Sequence, residues 1–179
     1  MITLDENEKL IAVFRKHIFY VIVEICGLVL VAFIPLVAHA IFRPIIFPNP
    51  APSSIYFFLF LYFLFLAILW VIGFMMWTDY YLDMWVLTDK KLIDVEQKGL
   101  FSREISSMRL DKIQDVKSEV SGLIHTFLGI GNVHVQTAGS EKEFVIPNAK
   151  NPNKVKEQIL SAHNSQVEAV QIVRIENML

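Results

Sequence analysis

Hydrophobic and polar positions follow two different rhythms along this chain. From Pro44 to Thr78, thirty-five residues carry no formally charged side chain, and the second half of that run, Ser54 to Trp77, is almost wholly apolar and aromatic. As a helix this half extends about 36 Å at 1.5 Å per residue, enough for a hydrocarbon core of roughly 30 Å. A soluble domain of this size could not bury every face of such a helix, so the pattern predicts a membrane span over 54–77. An earlier apolar run, His17 to Phe42, is interrupted only by Glu24, Pro35 and His39 and predicts a first span over 17–42. That run is too long for a signal peptide, lacks a small-residue cleavage site after it, and is soon followed by the second span. Pro44, Pro48, Pro50 and Pro52 predict an extended or turned connector over 43–53, giving a helical hairpin.

Beyond Trp77 the rhythm shortens to that of β-strands. Tyr81–Leu87 and Leu92–Gln97 flank the polar turn Asp89-Lys90-Lys91, and Gly99 precedes a third strand, Ser102–Met108. Ile113–Val120 alternates less cleanly and predicts a strand with a bulge. Gly131–Thr137 sets Val133 and Val135 against Asn132, His134 and Gln136, the mark of a half-buried antiparallel strand, and Glu143–Ile146 is the last of six. Pro147 is expected to end the β pattern. Asn151-Pro152-Asn153 then reads as a helix start, with Val155, Ile159 and Ala162 on one face. The tail, 164–179, spaces Val167, Val170 and Val173 as an amphipathic extension. The expected organisation is a segment over 1–16, the hairpin, and a compact domain over 79–163.

Charge changes the picture mainly by fixing topology. Residues 1–78 hold four basic and four acidic side chains, leaving twelve basic and fourteen acidic for 79–179. Such a balance argues against a nucleic-acid surface. Lys9, Arg15 and Lys16 precede the first span, Lys90, Lys91 and Lys98 follow the second, and only Arg43 lies between them. The positive-inside rule therefore predicts both termini in the cytoplasm and the proline-rich connector outside. Trp77, Tyr80, Tyr81 and Trp85 form a candidate interfacial belt where the second span ends, and His39 is expected near the other interface.

Candidate chemistry is sparse. Glu24 is the one carboxyl group within the spans, and intramembrane ionisable groups are functional candidates by default. With His17 it forms a candidate polar site. Three alternatives stay open for Glu24: protonated, paired with His17 or Arg15, or buried against a second subunit. The single cysteine, Cys26, can form no intrachain disulfide and reads as a packing residue. The five histidines show no metal-ligand spacing, and Gly129-Ile130-Gly131 lacks the third glycine and the helix of a phosphate loop. No nucleophile signature is present. No catalytic residue, cofactor, metal or small-molecule substrate is expected, and the chain reads as a non-enzyme. Leu123, Ile124 and Phe127 make a candidate apolar interaction loop, serving either as a plug for the open end of the sheet or as a contact with a bilayer or neighbouring subunit.

Several spaced motifs carry a resemblance: Tyr80-Tyr81, Leu87-Thr88-Asp89-Lys90-Lys91-Leu92-Ile93, Gly99-Leu100-Phe101-Ser102-Arg103, Ile113-Gln114-Asp115-Val116, Leu128-Gly129-Ile130-Gly131-Asn132-Val133 and Thr137-Ala138-Gly139. Together they resemble the bacterial pleckstrin-homology family in its membrane-anchored class, and Arg15-Lys16-His17 matches a pattern found there just ahead of the first span. The resemblance implies a strongly bent antiparallel sheet of about seven strands capped by a C-terminal helix. It brings no biochemical function with it. Phosphoinositide binding would need a basic cup near the first hairpin. Only Lys90 and Lys91 stand there, with Asp89 and Asp94 close by.

Two readings follow. The first is an inner-membrane protein whose cytoplasmic domain mediates assembly, with itself or with a related membrane protein. The second is a small transport or envelope-stress component, an oligomeric bundle in which Glu24 has a role.

Overall fold

The computed structural model describes residues 8–46, 53–99, 102–137 and 143–176. Its elements are β1 (Leu10–Phe14), α1 (Phe19–Ile46), α2 (Ser53–Leu82), β2 (Met84–Thr88), β3 (Lys91–Lys98), β4 (Ser102–Arg109), β5 (Ile113–Glu119), α3 (Leu123–Leu128), β6 (Ile130–Thr137), β7 (Phe144–Lys150) and α4 (Pro152–Glu176). A 3-10 turn, Leu110–Lys112, joins β4 to β5. They form two compact units. One spans Ile18–Tyr80; the other holds the residues up to His17 together with those from Tyr81 onward.

The first unit is the helical hairpin. Both helices are long and apolar enough to cross a membrane. α1 keeps helical geometry through Pro35 and Pro44, so the helix runs four residues beyond the predicted span end at Phe42. A proline costs one backbone bond, which apolar helices tolerate when neighbouring groups take up the freed carbonyl. The predicted connector over 43–53 begins instead after Ile46, and its residues 47–52 lie outside the described residues. Half-buried positions recur every three or four residues, Leu28, Ala32, Pro35 and His39 on α1 against Phe58, Tyr62, Leu69 and Gly73 on α2. Tyr62 donates its hydroxyl to Ala32 O at 3.3 Å, and His39 stacks on Phe58 with ring centroids 3.7 Å apart. A Cβ at Gly73 would meet Leu28 Cδ1 at 3.4 Å, so a glycine lets the helices approach closely there. Elsewhere α1 and α2 expose leucine, isoleucine and phenylalanine on their other sides, as lipid-facing helices do.

The second unit is built from two antiparallel sheets, ordered β1-β2-β3-β4 and β5-β6-β7. The expected seven strands are present among the described residues, divided between two sheets rather than bent within one. Alternation after the second helix predicts six. The seventh is β1, which precedes the hairpin and pairs with β2 on its far side, Val13 opposite Val86 and Phe14 opposite Trp85. The sheets and α4 enclose one core: Leu87, Leu92, Leu110, Val133, Val135, Ile146 and Ile159 are completely buried, with Phe14 and Trp85 joining them. Trp85 is thus a core residue, not part of an interfacial belt. The predicted strand over Tyr81–Leu87 starts later, because α2 continues to Leu82.

Three further details correct or refine the sequence reading. β7 runs through Pro147 to Lys150, past the point at which the strand pattern was expected to stop. It is an edge strand, where a missing N–H is tolerated. β5 shows its register shift between Ile113 and Asp115, in keeping with the predicted bulge. α4 starts at Pro152, an apt first helical residue, with Lys154 N and Val155 N both donating to Asn151 O. Val155, Ile159 and Ala162 are buried as predicted.

Candidate functional site

The two ends of the domain unit that lead into the hairpin are tied to each other. Lys16 Nζ lies 2.7 Å from Asp83 Oδ2, and Asp83 Oδ1 accepts a bond from Gln97 N at 2.8 Å, so a largely buried carboxylate is satisfied on both oxygens. One residue earlier, the Arg15 guanidinium stands 5.0 Å from the centre of the Tyr81 ring, a cation–π distance. His17 belongs to this junction: its backbone N–H donates to Asn148 O at 2.8 Å, and Lys16 bridges to Ala149 of β7. Glu24 falls in the hairpin unit, exposed on α1. The residues predicted as a polar pair therefore lie in different units.

At the opposite end, the β2–β3 turn is organised by Thr88. Its hydroxyl donates to Lys91 O and accepts from Lys91 N, both at 2.9 Å, and it is also 2.6 Å from Glu8 Oε1. Lys91 Nζ sits 3.0 Å from Glu8 Oε2, and Lys9 N donates to Asp89 Oδ1 at 2.9 Å. One of the two lysines that a phosphate-binding cup would need is committed to a carboxylate, and the turn works as a staple for the strand β1.

Leu123, Ile124 and Phe127 come together on α3 between β5 and β6. Leu123 is 92% exposed, Phe127 94% and Ile124 61%, so the residues do not plug the sheet. The four-residue spacing of Leu123 and Phe127 puts them on one side of the helix. The polar side chains of α3 turn back on its own backbone: Thr126 Oγ1 donates to Gly122 O at 2.9 Å, and His125 Nδ1 is 2.6 Å from Ser121 O. Glycines bound the element at both ends, with Gly122 at φ 99° and Gly129 at φ 64°, a left-handed cap that L side chains rarely adopt.

Of the remaining histidines, His134 on β6 places Nδ1 3.2 Å from Glu143 Oε1 and Nε2 3.9 Å from Glu119 Oε2. The His163 ring lies 2.6 Å from Leu110 O and fastens α4 to the 3-10 turn. Among the described residues, no three His, Cys, Asp or Glu side chains stand together as metal ligands.

A family model described as the bacterial PH domain matches residues 18–163. The chain belongs to this family. The match covers α1, α2 and the domain through most of the packed part of α4, and leaves out β1. A solved structure from Shewanella loihica, a DUF1696 family protein with a pleckstrin-homology domain, is similar at 20% identity and a TM-score of 0.38, over 45% of this chain and 70% of that one. No match was found among curated proteins.

Within this bacterial PH domain protein, sequence reasoning missed β1 and the Lys16–Asp83 pair. Leu10-Ile-Ala-Val-Phe14 is a five-residue apolar run with a β-branched share, a strand signal in itself, but its position just before a span drew it into the linker. Asp83 and Lys16 are 67 residues apart, so spacing could not join them.

Proposed function

We propose that this bacterial PH domain protein is a non-enzymatic assembly module held at the cytoplasmic face of an inner membrane by its helical hairpin. Its partner is a second copy or a related membrane protein. β1 and β2 lie side by side in one sheet and lead into opposite ends of the hairpin, which supports placing both termini on one side. The basic residues around Lys9–Lys16 and Lys90–Lys98 support that side being the cytoplasm.

One observation carries the assembly reading. On the face of the four-stranded sheet turned away from the main core, Val86, Ile93 and Val95 form a second apolar cluster with Met84. Cross-strand register continues that cluster outward to Val13 on β1 and Ile105 on β4, which are 45% and 49% exposed. Both are edge strands, which also present unpaired backbone groups. A polar module without partners has no use for an apolar border of this kind.

Cross-linking in native membranes, followed by recovery of the intact chain in mild detergent, tests the reading. We expect adducts with a second copy or with one defined membrane protein, and their loss in a Val13→Asp, Ile105→Asp double variant that retains its thermal transition. A chain that stays monomeric and captures nothing in both settings would overturn the proposal.

A further inference from the structure

We infer that α3 is a membrane-interface anchor: Leu123, Ile124 and Phe127 seat in the headgroup and upper acyl region of the bilayer that the hairpin crosses. This contact goes beyond the assembly reading, uses a different surface, and stands or falls separately.

The first support is the chemistry of the element. Six residues, Leu123–Leu128, contain four large apolar side chains, and two of them are almost completely exposed. Thr126 Oγ1 donates to Gly122 O and His125 Nδ1 lies 2.6 Å from Ser121 O, so both side chains bond to the backbone beside the element. Val120, just before the element, is exposed as well. A helix this short contributes little stability by itself, and these side chains contribute nothing to the core. An apolar solvent is what they fit.

The second support is position, read entirely within the domain unit. α3 ends at Gly129, and Asn151 N donates to Gly129 O at 2.8 Å. β6 follows at once, with Gly131 opposite Ala149 of β7. Ala149 bridges in turn to Lys16, and Asn148 O accepts the His17 N–H. The next residue, Ile18, belongs to the hairpin. The backbone at which the chain leaves the domain is thus about two strand spacings, roughly 10 Å, from the base of α3. Insertion of the span brings that end of the domain to the bilayer surface, and apolar side chains on a neighbouring loop reach the roughly 5–10 Å of depth that interfacial helices use.

The third support is rigidity. A Cβ at Gly131 would lie 2.4 Å from Glu119 O, so β5 and β6 approach at the base of α3 too closely for any side chain. Gly129 is similarly confined, its Cβ position 3.0 Å from Asn151 Oδ1. Leu123 and Phe127 stay exposed above this closely packed base.

The full-length chain, reconstituted in phosphatidylcholine vesicles, tests the inference directly. Cys26→Ser removes the native thiol, and Phe127→Cys accepts an environment-sensitive fluorophore. Lys112→Cys supplies the reference, because the 3-10 turn lies at the opposite end of the domain, near the β2–β3 turn where Leu110 N donates to Lys90 O. We expect blue-shifted emission at position 127, at least severalfold stronger quenching by spin-labelled lipid than at 112, and weaker quenching by aqueous iodide. Equal iodide quenching at both positions would overturn the inference. So would a position 127 shielded from iodide but untouched by spin-labelled lipid, with shielding that fades on diluting protein into lipid; that outcome makes α3 a protein contact. Cross-linked adducts as described above would survive either result.

Discussion

Asp94 shows how a single side chain can sit against its environment. It lies on β3 opposite Trp85, turned to the side of the sheet that carries the main core. Burial, followed by the nearby charge of Glu96, raises its carboxyl above the ordinary value of 3.8. A carboxyl raised on folding binds its proton more tightly in the native state, so its contribution is favourable at low pH and is lost as pH climbs through the raised value. Asp94→Asn is therefore expected to raise the unfolding midpoint of the detergent-solubilised chain at pH 7. The gain should be no more than about 1 kcal/mol, since the group is only half-buried and solvent screens it. Below pH 3.8 the two proteins should unfold alike. A variant less stable than the parent at pH 7 would show that the carboxylate is being used. At this scale the sequence yielded types but not partners. Leu123 and Phe127 stood out because apolar side chains in a polar, glycine-bounded stretch are visible by eye. The Lys16–Asp83 pair and the Thr88 hub were invisible because each joins residues that are distant in sequence.

Among the elements, the strands were legible to within a few residues, because alternation survives wherever one face is buried. The misreadings cluster at prolines and at the span ends. Pro44 and Pro147 looked like stops, but one lies in an apolar helix, where neighbouring groups take up the freed carbonyl, and the other on an edge strand, where a missing N–H is tolerated. The end of α2 was misplaced because Tyr80, Tyr81 and Leu82 fit a strand and a helix equally well. Glycines, by contrast, mark real constraints. At Gly131, an added Cβ would meet Glu119 O at the end of β5, Val120 Cγ2 just after it at 2.9 Å and Pro152 Cγ at the start of α4 at 2.9 Å. Since the nearest atom is backbone, a rotamer change cannot relieve the overlap. Gly131→Ala is expected to cost about 2 kcal/mol or more by forcing β5 away from β6, read as a lowered unfolding midpoint. Gly99→Ala is the comparison: nothing lies within 4 Å of its Cβ position, so only its φ of 74° is strained and the loss should be smaller.

The whole molecule has a domain that is not continuous in sequence. Five residues made before the hairpin, Leu10–Phe14, complete a sheet whose other strands come after it. Sequence reading drew the boundary at residue 79 because the spans are the loudest signal in the chain, and five quiet residues ahead of them have no periodicity to compete. The consequence is energetic. Without β1, the backbone of β2 becomes an open edge, and the core loses Phe14, a deletion that costs about 3–5 kcal/mol when a phenylalanine is truncated in place. A domain of about a hundred residues has only some 5–15 kcal/mol to lose. Residues 79–179 expressed alone should therefore unfold at markedly lower temperature than the domain unit, or aggregate through β2. Fusing Glu8–His17 to Asp83–Leu179 should restore a cooperative transition. A joint of roughly two to five residues suffices, because Phe14 opposes Trp85 and Lys16 touches Asp83, the geometry of a hairpin. Thermal unfolding followed by circular dichroism, with size-exclusion chromatography of both proteins, decides it. Equal stability would make β1 a passenger. The expected difference makes it the strand through which the chain on both sides of the hairpin is tied into one sheet, since β1 precedes the hairpin and β2 follows it.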